Sequence, residues 1–272
     1  MIGRKAAGLG LWAMLASLPA LPAAAAAAPD IFLLAGQSNM SGRGSLAELA
    51  EAERRVDPQI RLYGNDGRFR PALDPLDDAG GQKDPVSADA QAAVGPGLFF
   101  ARALKRLNGR PILLVPCAKG GSSIRRWEAG GGRDTLYGSC LARARSAGGR
   151  IKGILWYQGE SDSESVESAS RWSEAFAALV AAFRRDLGAA RLPVVFVQLA
   201  DPPARADRAP RYPGWRVVQD RQAALRLPCS AMVRTAGLPR LDDELHLTSA
   251  AQRVLGARLA AAMHGLMRRK CG

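Results

Sequence analysis

Two short segments far apart in the chain hold the residue types of nucleophilic catalysis. Gly36-Gln37-Ser38-Asn39-Met40 sets a serine among small and polar neighbours. Asp243-Glu244-Leu245-His246 sets an acid three residues before one of only two histidines in 272 residues. A serine hydroxyl is a weak nucleophile at neutral pH. It needs a base within hydrogen-bond reach and a third group to fix the tautomer of that base. Together the two segments supply Ser38 as nucleophile, His246 as base and Asp243 as orienter. Asp242 and Glu244 stand beside Asp243 as alternative orienters, and the acidic cluster also reads as a helix-leading one favoured by the macrodipole. The other histidine, His264, sits in Ala-Met-His-Gly inside a helical pattern and reads as an ordinary helix-end residue.

Acyl transfer passes through a tetrahedral oxyanion that needs donors. The backbone N–H of Ser38 is one candidate. Val94-Gly95-Pro96-Gly97 leads into a helix, so Gly95 can present a second N–H; turn chemistry alone also places glycines there. Tyr157-Gln158-Gly159-Glu160 follows a strand, and Gln158 can donate from its side-chain amide. A plain turn after a strand is the competing reading.

These residues must be carried by elements that bring them together. Ser38 follows the apolar run 31–35, which reads as a short buried strand. The C-terminal ends of strands are where an open α/β sheet places its chemistry. Further strand-like runs occur at 60–63, 112–116, 154–157, 194–199 and 231–235. Helical patterns lie between them at 98–107, 168–187 and 215–227, and a last helix covers 248–267 with Thr248 or Ser249 as its cap. Strand–helix alternation predicts a mostly parallel sheet with helices on both faces. Segments 65–89, 119–138 and 201–213 carry Gly and Pro without periodicity, and loops of that length in a compact domain are usually functional.

Composition bounds the setting. Residues 1–28 read as a signal peptide: Arg4 and Lys5 form a basic start, 9–21 is apolar, and 23–28 is an alanine run suited to cleavage. Residues 29–272 then form one domain, periplasmic or secreted, with no membrane span after signal cleavage. The formal charge of +13 falls to +11 without Arg4 and Lys5. The arginines are scattered, with no basic run and no aromatic-interleaved stripe, so no nucleic-acid partner is expected. Cys117, Cys140, Cys229 and Cys271 allow two disulfides in three connectivities. The pairs Cys117–Cys140 and Cys229–Cys271 are favoured, because the first brackets one local loop. The cysteine spacings lack a metal-binding pair, so neither metal nor cofactor is expected.

The order of five blocks carries a resemblance. They are Gly36-Gln37-Ser38-Asn39-Met40, Val94-Gly95-Pro96-Gly97, Leu114-Val115-Pro116-Cys117-Ala118 with Gly120-Gly121, Tyr157-Gln158-Gly159-Glu160-Ser161-Asp162, and Asp243-Glu244-Leu245-His246. This resembles the SGNH-like carbohydrate acetylesterases, the group holding acetylxylan esterases and sialate O-acetylesterases. The resemblance spans nearly the whole mature chain. It implies a three-layer α/β/α sandwich around a central, mostly parallel sheet. It also implies Ser38, His246 and Asp243 as the triad, with Ser38, Gly95 and Gln158 as oxyanion donors. The wider superfamily has asparagine as third donor, where this subgroup has glutamine. Gln37, Asn39, Glu160 and Trp127 are expected as supporting or substrate-side residues, with Trp127 placed to stack on a sugar or to pack a loop. Asp162 matches the block without an assigned step. The implied substrate is an acetylated carbohydrate, with xylan fitting slightly better than sialic acid.

Two rivals are weaker. Gly42-Arg43-Gly44-Ser45-Leu46-Ala47 lies too far past the strand for a dinucleotide turn, and no GxSxG elbow is present. A non-catalytic glycan-binding protein on the same fold is the rival from another class. Against it stands the presence of nucleophile, base, orienter and donors together.

Overall fold

The computed structural model describes residues 1–3, 27–269 and 271. Most of the expected signal peptide therefore lies outside the described residues.

The chain opens with β1 (Asp30–Gly36), seven buried residues rich in Ile, Phe and Leu. Such a run suits a central strand covered on both faces. A one-turn helix α1 (Ser38–Ser41) follows, then α2 (Glu51–Arg54), β2 (Ile60–Tyr63), β3 (Phe69–Pro71), α3 (Gly97–Asn108) and β4 (Ile112–Pro116). The second half runs α4 (Leu136–Ser146), β5 (Ile151–Tyr157), α5 (Val166–Asp186), β6 (Val194–Val197), α6 (Trp215–Ala224), β7 (Ser230–Val233) and α7 (Ser249–Arg268). The strands form one seven-stranded sheet in the order β3-β2-β4-β1-β5-β6-β7. All neighbours are parallel except β2 and β3.

Helices cover both faces. On one, α3 packs against α7, with Phe100 edge-on to Phe32 of β1. On the other, α4 and α5 meet through Tyr137 and Phe183, while Trp156 of β5 packs on Phe176. The strand order reverses beside β1, between β4 and β5. A crevice opens at such a switch point, outside the C-terminal ends of the strands. Gly36, the last residue of β1, has φ of +130°, and a Cβ there would overlap the Tyr157 carbonyl of β5. Glycine thus lets the chain turn sharply off the sheet into α1.

The expected strands and helices are present with shifted ends. The helix after residue 215 stops at Ala224, where Leu225 turns to extended backbone with ψ of 133°. Four elements were not among the expected runs: the one-turn helices α1 and α2, β3 inside the expected loop 65–89, and α4, which begins at the end of the expected loop 119–138. In α4, eight residues including Arg143 are buried, so no single apolar stripe marks it. Strand β3 is three residues long at the sheet edge.

Arg143 is 2% exposed and binds Asn65, Ser87 and Ser139, pinning the long segment after β2 onto α4. Both favoured disulfides form, Cys117–Cys140 and Cys229–Cys271, each with Cα atoms 5.3 Å apart. The first ties the start of the loop after β4 to α4.

Candidate active site

Ser38 is the first residue of α1, two residues beyond β1. Its turn is held by Gln37, whose N–H donates to Tyr157 O at 2.8 Å. His246 lies 208 residues later in the loop before α7, and its Nε2 stands 2.8 Å from Ser38 Oγ. The other ring nitrogen, Nδ1, is 2.6 Å from Asp243 Oδ2. An acceptor at Nδ1 assigns the ring proton to that atom and leaves the Nε2 lone pair facing the serine. Asp243 Oδ1 also accepts from the N–H groups of Leu245 (2.9 Å) and His246 (3.0 Å). Burial pushes the Asp243 carboxyl up, but the imidazole and these two N–H groups outweigh it and hold it well below the usual carboxylate range.

The three neighbouring acids separate cleanly. Glu244 has φ of +58° and turns its carboxylate to the N–H groups of Ala204 and Arg205, away from the ring. Asp242 contributes its carbonyl to Arg205. Only the Asp243 carboxylate meets the imidazole among the three.

Asn39 and Glu160 come together behind the nucleophile. Asn39 Nδ2 donates to Glu160 Oε1 (2.6 Å) and to Leu245 O (3.0 Å), and its Oδ1 accepts from Leu247 N–H (3.0 Å). The side chain beside the nucleophile thus grips the backbone on both sides of His246. Glu160 is buried, and burial pushes its carboxyl up against the pull of Asn39. With its amide turned so that the nitrogen faces acceptors, Gln37 donates to Ser122 O (3.2 Å) and Glu160 Oε2 (3.3 Å). Asp162 accepts from Ile124 N–H at 2.9 Å and so supports the loop after β4.

Three expected residues are not brought to the groove. Gln158 is fully buried: its amide nitrogen donates to Asp162 and to Ser122 O (3.1 Å), and its oxygen accepts from Trp172 Nε1 (2.9 Å). Both amide hydrogens are committed away from Ser38. Gly95 packs against the Met40 carbonyl and Gly42 and does not line the groove. Trp127 is fully buried, edge-on to Trp156 at 5.1 Å, with Nε1 donating to Ser122 Oγ. It packs the loop and reaches no sugar. His264 lies in α7, outside the groove.

The groove above Ser38 measures about 500 Å³ and is lined by Arg43, Asp89, Lys119, Gly121, Tyr212 and His246 among others. Gly121 was not singled out as a donor. It has φ of +65°, and neither its N–H nor that of Ser38 has an acceptor among the described residues. The glycine pair after β4 was the available signal: paired glycines at a strand end often mark a close backbone approach. Among the described residues no cluster of three or more His, Cys, Asp or Glu side chains is placed to hold a metal ion.

A family model described as carbohydrate esterase, sialic acid-specific acetylesterase, matches residues 28–265. The chain belongs to this family. This carbohydrate esterase is therefore an ester hydrolase, built on a mostly parallel α/β sheet flanked by helices. It is 34% identical over 250 residues to a protein of Arabidopsis thaliana named as a probable carbohydrate esterase, covering 86% of this chain and 89% of that one. An X-ray structure of an Arabidopsis thaliana protein superposes with a TM-score of 0.75 at 32% identity, covering 87% of this esterase and 98% of that chain. A protein of Escherichia coli K12 named as a probable 9-O-acetyl-N-acetylneuraminic acid deacetylase is 28% identical over 197 residues, covering 58% of this chain and 60% of its own.

Proposed function

We propose that this esterase is exported and removes O-acetyl groups from a carbohydrate through an acetyl-enzyme on Ser38. The observation that carries the reading is the Ser38–His246–Asp243 line, with contacts of 2.8 and 2.6 Å. Ser38 Oγ attacks the acetyl carbonyl while His246 Nε2 takes its proton, and Asp243 stabilises the imidazolium. The N–H groups of Ser38 and Gly121 receive the oxyanion. Collapse of the intermediate expels the sugar oxygen, which takes the proton back from His246. Water then repeats the sequence and releases acetate. Tyr212 lines the groove and is the aromatic side chain a sugar ring would meet there, the part first expected of Trp127.

The family description and the Escherichia coli relative favour an O-acetylated sialic acid as the sugar over acetylated xylan. Export is supported by the basic, apolar and alanine-rich order of residues 1–28 and by the two disulfides, which persist in oxidising compartments. No helix among the described residues is long and apolar enough to cross a membrane.

Hydrolysis of 4-nitrophenyl acetate, O-acetyl sialic acid and acetylated xylan by wild type and Ser38→Ala tests the reading. Cleavage by wild type alone supports it, and the two glycans decide the sugar. Equal inertness of both proteins on all three substrates would leave glycan binding without catalysis as the better account.

A further inference from the structure

A buried carboxylate in the groove belongs to none of the five sequence blocks. Asp89 is 4% exposed and sits between the nucleophile turn and the loop after β4. Its Oδ2 accepts from Ser41 Oγ at 2.7 Å, from Gly120 N–H at 2.9 Å and from Arg43 Nη2 at 2.9 Å. Its Oδ1 accepts from Arg43 Nη2 at 3.0 Å and from Gln91 N–H at 3.2 Å. Arg43 adds a bond of 3.0 Å to Ser41 Oγ, and Ser41 Oγ reaches back to the carbonyl of Ser38.

One carboxylate oxygen therefore joins two segments that must be in register for chemistry. Ser41 closes the single turn that begins at Ser38. Gly120 immediately precedes Gly121. The glycine at 120 answers to this packing: a Cβ there would stand 2.5 Å from Arg43 Nη2 and 2.8 Å from Asp89 Oδ2. At 121 the neighbouring space is open, and glycine is required by the positive φ instead. The pair thus presses one peptide onto Asp89 and turns the next N–H free of it. Burial pushes Asp89 up, yet the bonds from Ser41, Arg43 and Gly120 and the charge of Arg43 bring it below the ordinary carboxylate range. The anion is the form the site is built around.

We propose that Asp89 is a positioning residue that sets the Gly121 N–H against Ser38 and so shapes the oxyanion pocket. This rests on the esterase reading above and deepens it. Asp89 touches no reacting atom. It acts through Gly120 on one side and Ser41 on the other. A donor displaced by a fraction of an ångström loses much of its effect on the developing charge, while substrate binding along the groove is spared.

The test compares Asp89→Ala and Asp89→Asn with wild type, using steady-state hydrolysis of 4-nitrophenyl acetate and inhibition by phenylboronic acid. A boronic acid forms a tetrahedral adduct on an active serine and places an oxygen where the oxyanion develops. Asp89→Ala should lower kcat by about 10²–10³ with KM within a few-fold, the loss seen when an oxyanion donor is removed. Its boronate affinity should fall in parallel. Asp89→Asn keeps one acceptor and should lie between. Should Asp89→Ala not fold, Asp89→Asn and Ser41→Ala carry the same comparison. An active wild type with variants within about threefold in kcat, or with kcat lost and boronate affinity kept, would overturn the Asp89 assignment alone. A wild type inert towards esters and indistinguishable from Ser38→Ala would remove the esterase reading, and this assignment with it.

Discussion

Asn39 Nδ2 donates to Glu160 Oε1 at 2.6 Å, joining the residue after the nucleophile to the acid in the loop after β5. That bond fixes the amide so that Nδ2 faces Leu245 O and Oδ1 faces Leu247 N–H. The loop of His246 is thereby held to the turn of Ser38 by a side chain that bonds to neither of those two side chains.

Asn39→Ala removes this grip and leaves Ser38, His246 and Asp243 in the chain. The expected result is a fall in kcat of about 10–10²-fold with little change in KM, the scale of a small misplacement of catalytic groups. The far-downfield proton of the His246–Asp243 bond should broaden in the NMR spectrum. Glu160→Gln keeps an acceptor for Asn39 and should retain most of the activity. Equal loss in both variants would argue that the charge of Glu160, not the grip, is what counts.

Asp243→Asn should lower kcat on the order of 10³–10⁴-fold, as replacement of the orienter does in other triads. Asparagine can donate from Nδ2 and so favours the imidazole tautomer with its proton on Nε2, facing the serine the wrong way. Circular dichroism should report an intact fold. Substitution of Glu244, which faces Ala204 and Arg205, should leave kcat nearly unchanged. If Glu244→Gln proved as damaging as Asp243→Asn, the orienter assignment would fail.

Gln158→Ala is expected to act on stability more than on the chemical step. It strips the Trp172 indole of its acceptor and Asp162 of a donor, both buried. Leaving two buried polar groups unpaired costs about 1–3 kcal/mol each. Thermal unfolding should register the loss. A drop of 10²-fold or more in kcat at unchanged stability would instead restore Gln158 as an oxyanion donor.

Asp74 gives stability a pH dependence of known sign. Burial raises it to about 7, against the pull of Arg102 and of the Gly95 and Leu76 N–H groups. Between the ordinary carboxylate value and 7, the folded chain holds a proton that the unfolded chain has released. This group's contribution is therefore fully present below about pH 4 and is lost as pH rises through 7. Asp74→Asn cannot ionise, so its melting temperature should gain on that of wild type from pH 4 to pH 8. Asp77, raised to about 6, is present in both proteins and cancels in the difference. A constant offset across the range would rule the linkage out.

Much of this arrangement was legible in the residues. The apolar runs predicted the strands, because central strands of a parallel sheet are buried on both faces and show as continuous Ile, Leu, Val and Phe. His246 stood out because only two histidines were available, Ser38 by its place after a strand, and Asp243 by lying three residues before His246, with Asp242 and Glu244 left as alternatives. The oxyanion side was not legible. Gly95 and Gly121 are both glycines near strand or helix ends, and only the fold tells which of them lines the groove. Gln158 has the right functional group, but its two hydrogens are claimed by Ser122 and Asp162 from segments that sequence spacing cannot bring near. Trp127 looked like a sugar platform because aromatic residues serve both roles; its burial against Trp156 decides for packing. Helix α4 escaped notice because polar residues such as Arg143 and Ser139 point inward there, satisfied by the long segment after β2.

The separation of 208 residues between Ser38 and His246 has a bearing on how the chain is made. Synthesis delivers the serine near the start and the imidazole near the end, and the clamp from Asn39 has its partners only once residues 245–247 are made. A nascent chain thus carries the Ser38 hydroxyl without its imidazole partner. The pairing of Ser38 with His246 is thus withheld until the last part of the chain arrives, so the order of residues along the chain acts as a built-in delay between manufacture and work.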